Sequence, residues 1–243
     1  MSLTVAQTYT AIGPGLTSSF QGIGGTSPYT YSVRSGGTGG SINSSGVYTA
    51  PAAMSENPAT IYDVIQVMDS LGAIATASIL VGSPLFLFCD IIQTGLGLAP
   101  GRVFLWDQKI TEPTDFGLFV AVSVLNCKPF ANSIGFDSNC NQIQSVNVLA
   151  SLSLDVISRG PAARDQKELV ILALQSVYSQ QQQEANSFNI GRISTSFVNL
   201  SEVDGSAIPY RYQIGVNMQY FVATTQPAEY FNTFSAPSLV EQA

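Results

Sequence analysis

The chain has 243 residues, 45% of them hydrophobic and only 10% charged, with a mean hydropathy of +0.23 and a net charge of −7. Charged residues fall well below the roughly 25% of an ordinary soluble domain, so part of the surface needs another route to solubility, such as coverage by neighbouring subunits. The sequence holds no histidine, which excludes a Ser-His-Asp triad, a Cys-His pair and His-ligated zinc, and a pI near 4.4 argues against specific nucleic-acid binding through phosphate contacts.

The length allows one large domain or two modest ones, and the composition favours two. Residues 1–82 hold 12 of the 21 glycines but only four charges, Arg34, Glu56, Asp63 and Asp69. Residues 83–243 hold all the other charges and the long periodic runs, which places a boundary at 82/83. No basic n-region follows Met1, and the apolar stretches Ile74–Val81 and Phe116–Leu125 fall short of the ~20 residues of a membrane helix. The expectation is a soluble protein made in a cytoplasm, without membrane contact.

The first segment reads as all-β. Pro28–Val33 alternates with period two after the turn cluster Gly24–Ser27. Gly39–Pro51 reads as strand, glycine turn and strand. Ile61–Val67 and Ala73–Val81 then form a hairpin about Asp69-Ser70-Leu71-Gly72. Short strands at this spacing predict a β-sandwich. Gly-Gly-Thr-Ser-Pro-Tyr-Thr-Tyr-Ser-Val (24–33), Gly-Val-Tyr-Thr-Ala-Pro (46–51) and Val-Met-Asp-Ser-Leu-Gly-Ala (67–73) resemble bacterial and phage immunoglobulin-like repeats. That resemblance implies a spacer, a decoration or a weak surface adhesin, and is nearly silent on function.

The second segment mixes helix and strand. Ser83 and Pro84 open a helix over Leu85–Thr94 that Gly95 stops. Arg102–Asp107 and Phe116–Leu125 read as strands joined through Thr111–Asp115, and a loop is expected over about 126–141. Gln144–Ile157 is the clearest strand, with Val146, Val148, Ala150, Leu152, Leu154 and Val156 on one face. It is long against a usual five or six residues, which predicts that it projects beyond its own domain. Gly160-Pro161 opens a major helix over about 161–186, with Leu169 and Leu172 widening its apolar surface enough for a second contact. Strands follow at about 191–200 and at Tyr210–Ala223, then an extended tail over 224–243. The fold class expected is α+β with an all-β domain: an N-terminal immunoglobulin-like β-sandwich (1–82), then a mostly antiparallel sheet flanked by two helices (83–243).

None of the polar clusters names a substrate. Asp107, Glu112 and Asp115 could serve as paired carboxylates, but their spacing fits a polar turn. Asp137 with Cys140 lacks the alternating acidic spacing of a calcium loop. Gly95–Gly101 is glycine-rich, but no Lys-Ser/Thr follows, as a phosphate loop would need. Arg164–Glu168 reads as a solvated helix start or a subunit contact. Tyr210, Tyr212, Tyr220 and Phe221 read as a covered sheet face or a sugar-binding strip. Cys89, Cys127 and Cys140 form neither a disulfide framework nor a zinc knuckle, and a Cys127–Cys140 bridge stays open beside unpaired thiols. No catalytic, cofactor or metal residue is nominated, and no cofactor is implied.

The order helix, strand, strand, long strand, helix, strand, strand, with the long strand feeding Arg-Gly-Pro-Ala-Ala-Arg-Asp (159–165), resembles tail-terminator or neck proteins of long-tailed phages over roughly 85–225. The resemblance implies a non-enzymatic virion protein, assembled in the host cytoplasm into a ring, usually of six subunits. Such a ring ends the tail tube and joins it to the head-tail connector, with the tail sheath as a further neighbour and the immunoglobulin-like domain outward. The alternatives kept open are another virion component (collar, tube or baseplate) and a surface or carbohydrate-binding protein.

Overall fold

A computed structural model describes residues 2–34, 37–51, 62–106, 112–136, 141–191, 193, 196–201 and 210–227. The first half is built from β1 (Thr4–Val5), β2 (Tyr9–Ile12), β3 (Thr17–Ser19), β4 (Gly22–Ile23), β5 (Thr30–Val33), β6 (Ser41–Ile42), β7 (Val47–Thr49), β8 (Tyr62–Met68) and β9 (Ile74–Val81). A sheet of order β2-β9-β8-β5 and another of order β3-β7-β6, with a β1-β4 pair, enclose one apolar core. Strand β8 shows why: Ile65 and Val67 point inward to meet Phe20, Tyr48 and Ile79, while alternate residues stay partly exposed. At the β8–β9 turn, the Asp69 carboxylate accepts from the backbone N–H of Leu71 and Ala73, and Gly72 supplies the φ of +83°. This all-β half is a sandwich.

The second half comprises α1 (Pro84–Gly95), β10 (Val103–Leu105), β11 (Phe119–Phe136), β12 (Asn141–Ser158), α2 (Ala162–Leu174), α3 (Val177–Ala185), β13 (Phe188–Ile190), β14 (Val198–Asn199) and β15 (Tyr210–Pro227). The sheet order is β10-β11-β12-β15-β13, with β14 also against β15. All pairs are antiparallel except β10 with β11. The helices lie on the face carrying Val120, Val122, Leu152, Leu154, Val156, Ile214 and Val216, and bury Phe88, Ile91, Val170 and Leu174 against it. Phe104, Phe119, Ala121 and Ile157 form a small cluster on the reverse face, with the Phe104 and Phe119 rings stacked at 6.0 Å. The fold class is therefore α+β with an all-β domain.

Several local expectations need correction. The expected loop over 126–141 is strand as far as Phe136 and again from Asn141, with 137–140 outside the described residues. The expected helix over 161–186 is two helices. Leu174 ends the first, and the Ser176 side chain then accepts from the Ser179 N–H to start the second. Among the described residues three helices, not two, accompany the sheet. Gly95 is the last residue of α1 rather than its stop, and the positive φ of +61° falls at Gly97. Gly95 is small for a packing reason: a Cβ there would lie 2.5 Å from the Cβ of Ala173 on α2. The strand expected over 191–200 is instead β13 and the two-residue β14. Because β10 and β11 run parallel, the connection between them is a crossover and not a hairpin, with 107–111 outside the described residues. Of the expected tail, residues 228–243 lie outside the described residues, whereas 224–227 continue β15.

Only Gly82 and Ser83 separate β9 from α1. The core is continuous across that junction, since Ala11 and Leu80 of the sandwich join Leu87, Phe88, Ile91 and Ile92. A buried polar node sits in the same seam. Asp90 of α1 accepts from the hydroxyls of Tyr9 on β2 and, at 2.7 Å, of Tyr178 on α3. Burial holds the Asp90 carboxyl above its ordinary value, with the tyrosine hydrogen bonds opposing, and burial pushes both tyrosine hydroxyls up. Gly13 N–H adds a bond to Asn186 Oδ1 at 2.7 Å.

Candidate functional site

Strands β11, β12 and β15 are 18 residues each, about 60 Å at ~3.3 Å per residue. Among the described residues, helices cover only one end of them. From Leu125 to Phe136, all twelve residues of β11 are exposed, and Phe221–Thr224 and Gln226 of β15 are exposed beside them. Register holds the three strands together throughout: Asn132 pairs with Val146 and Val146 with Val222, out to Asn141 opposite Pro227. The result is a three-stranded arm, about 30 Å long by ~3.3 Å per residue, with its outer strands bare.

The arm is nearly without charge. Residues 125–136, 141–149 and 219–227 contain one charged side chain, Lys128. Period two sorts the rest. Ile134, Phe136, Val146 and Val222 lie on the side that the helices cover lower down, whereas Lys128, Asn147, Ser145 and Phe221 lie on the reverse. Large apolar side chains stand in solvent here, with Leu125 68%, Ile134 65% and Phe136 67% exposed. Isolated exposed apolar residues are ordinary, but a contiguous set marks an interaction surface.

The two edges of the arm differ. The β11 edge carries Pro129, Lys128 and two register irregularities, at Leu125 and Phe130, all features that discourage strand addition. The β15 edge is met by β14 at Tyr212–Gln213 and by β13 at Met218–Tyr220, while its pairing to β12 runs without a break. Beyond Tyr220 that edge has no strand partner among the described residues. A shallow recess at the arm's root is lined by Asn147, Asn189, Gln219, Tyr220 and Phe221, beside Ser187 at φ 54°.

The residues singled out from the sequence are dispersed. Asp115 pairs with Arg102 and accepts from Gly117 N–H, and the neighbouring guanidinium keeps its carboxyl below the ordinary value. Glu112 is exposed, and Asp107, Asp137 and Cys140 lie outside the described residues. Gly95–Gly101 ends α1 and turns toward β10. In the 164–168 run, Arg164 pairs with Asp165 at 2.9 Å and Lys167 with Glu168 at 2.7 Å. The Lys167 ammonium also stands 5.2 Å from the centre of the Tyr212 ring. Tyr212 is thus covered by α2. Tyr210, Tyr212 and Tyr220 share the helix side of β15 and Phe221 takes the reverse, so the four do not make one strip. Cys89 is buried, and burial pushes its thiol up; Cys127 is exposed on the arm, 3.9 Å from the Tyr220 hydroxyl.

Sequence reasoning missed the buried carboxylates. Asp63 accepts from Thr38 N–H and Thr38 Oγ1, each at 2.6 Å, and from the Tyr48 hydroxyl. Asp155 accepts from Arg211 at 3.0 and 3.1 Å and from Gln213 at 3.2 Å. With Asp90, these carboxylates spend their acceptor capacity on the fold's own donors, which fixes loops, strands and the seam between halves. Among the described residues no group of His, Cys, Asp or Glu could hold a metal ion, and no helix is long and apolar enough to cross a membrane. No family model matches the chain, and no curated protein matches it.

Proposed function

We propose that this chain is a structural subunit that assembles with copies of itself, and that its assembly is a ring at the neck of a long-tailed phage, ending the tail tube and joining it to the head connector. The observation that carries the self-assembly reading is the three-stranded arm. An almost uncharged sheet, bare on its outer strands and studded with apolar side chains, is costly to leave in water and suited to burial between subunits. The neck assignment rests on the resemblance of residues 85–225 to terminator proteins. The low charge of the chain fits a surface largely taken up by other proteins, and a net charge of −7 suits a channel through which DNA passes without being gripped. The same arm would serve a collar, tube or baseplate subunit, which is the second reading.

Sedimentation velocity of the purified 25.7 kDa chain, followed by electron microscopy with and without isolated tail tubes, tests the proposal. The expected result is a closed oligomer of one mass that caps tube ends. A monomer at every concentration, with no ring after mixing with tubes, overturns it. A ring that binds along the tube or at the baseplate end favours the second reading.

A further inference from the structure

Given self-assembly, we infer that the contact is heterologous: the helix-side face of one copy's arm is roofed by the outer face of α2 and the start of α3 of the next copy. Three observations lead there. The arm is the outward continuation of a sheet face that, lower down, is covered by helices of its own chain, with Leu152 and Leu154 buried beneath them. On that side the arm exposes Ile134, Phe136, Val146 and Val222, set among the uncharged polar residues Asn132, Gln142, Gln144, Thr224 and Gln226, and no helix among the described residues lies over them. The natural cover for such a face is another helix.

The molecule also carries a helical surface of matching character that the described residues leave exposed. Leu169 and Leu172 stand one turn apart on α2 and are 44% and 63% exposed; Val177, at the start of α3, is 69% exposed. The charges of α2 are gathered in its first turns, at Arg164, Asp165, Lys167 and Glu168, so the stripe beyond them is neutral. The arm's helix-side face is neutral too, since Lys128 lies on the reverse. Two uncharged surfaces of one chain, one sheet-like and one helical, each with large apolar side chains in solvent, therefore match in kind. The arm is a continuous part of the sheet and leaves the Leu172 stripe of its own copy exposed, so each surface is open to a neighbouring copy.

A three-stranded face about 30 Å long and about 14 Å wide, at ~4.8 Å between strands, projects to about 400 Å² before side-chain relief, about half of the roughly 800 Å² per partner of a standard interface and at the small end of the range. A contact between unlike surfaces leaves one of each free on every pair, so copies add head to tail and close when the rotation allows. This inference rests on the self-assembly reading and adds the two surfaces that meet.

The test uses two full-length variants changed only at exposed positions: Ile134→Glu with Val222→Glu on the arm, and Leu172→Glu with Val177→Glu on the helices. Circular dichroism and melting temperature check that each folds as the wild type does. Under conditions where the wild type assembles, each variant alone is expected to be monomeric, with dissociation shifted at least about tenfold in concentration for a charge placed in an apolar contact. Mixed, the two yield a one-to-one dimer that grows no further, because one intact arm face meets one intact helix face. An unchanged oligomer from the helix variant, or a mixture that stays monomeric, overturns the heterologous contact while leaving self-assembly standing. Loss of assembly in the arm variant alone indicates arm-on-arm contact and overturns it equally. A wild type that never assembles removes both readings.

Discussion

Strand β12 is two environments in one element. Between Leu152 and Ile157 every residue is buried, from helices on one side and from the Phe104–Phe119 cluster on the other; between Asn141 and Asn147 none is. The backbone pairing is the same at both ends, so hydrogen bonding does not distinguish them. What differs is the cover, and with it the chemistry that the side chains must satisfy. At the covered end a side chain is held by volume and by the cost of any unpaired polar atom. At the bare end it is held by little within the chain, and its identity answers to whatever docks there.

Substitutions can break this contrast, and the largest effect belongs to the covered end. Leu154→Ala removes a fully buried side chain beneath the helices and is expected to lower unfolding free energy by about 3 kcal/mol, within the usual 2–5 for such cavities. Urea denaturation measures it. Asp90→Ala strips two part-buried tyrosine hydroxyls of their acceptor at the seam and is expected to cost about 1–3 kcal/mol in the same assay.

The pH dependence of that node has a definite sign. The folded carboxyl is held above its ordinary 3.8, so the folded chain keeps a proton that the unfolded chain has released. The stability this confers is fully present below the unfolded value and is lost as pH rises through the folded one. Relative to Asp90→Asn, the wild type is therefore expected to melt progressively higher as pH falls from neutral toward about 4. A wild-type minus variant difference that is flat or reversed contradicts the burial argument.

Gly95→Ala sharpens the contrast by setting propensity against packing. Alanine gains about 1 kcal/mol over glycine in an open helix, but here its Cβ meets Ala173 at 2.5 Å. A net loss of about 1 kcal/mol is expected, and recovery in the double variant with Ala173→Gly would locate the cause in that contact. The smallest effect lies on the arm. Ile134→Ser is expected to change the unfolding free energy of the unassembled chain by less than about 0.5 kcal/mol, although Ile134 is as apolar as Leu154. A loss comparable to that of Leu154→Ala would mean that the arm is covered by its own chain after all.

The contrast also explains what the sequence disclosed. Alternation from Val146 to Val156 identifies a strand because its residues must choose between core and outside. Residues 126–136, including Asn126, Pro129, Asn132, Ser133 and Gly135, face solvent on both sides, so no alternation is enforced and the stretch looks like a loop. Polar composition there reports lack of cover, not lack of structure. The break between α2 and α3 hid for a different reason: Gln175-Ser176 is compatible with helix, and only the Ser176 side-chain bond to Ser179 N–H marks the new start. The Asp90 node was invisible because its partners, Tyr9 and Tyr178, lie far away in sequence on either side of it. A lone aspartate within an apolar helix, between Cys89 and Ile91, was the available signal.

The pairing of β15 carries a consequence for how the chain refolds. Strands β11 and β12 are sequence neighbours and can close as a hairpin early, whereas β15 reaches β12 only after two helices and two short strands have been passed. In the interval, β12 presents an open edge along its whole length. Unlike β11, it has no proline and no register irregularity to repel a stranger. Refolding at high concentration should therefore lose material to aggregates at that step, and dilution, which slows encounters between chains but not the arrival of a chain's own third strand, should recover it.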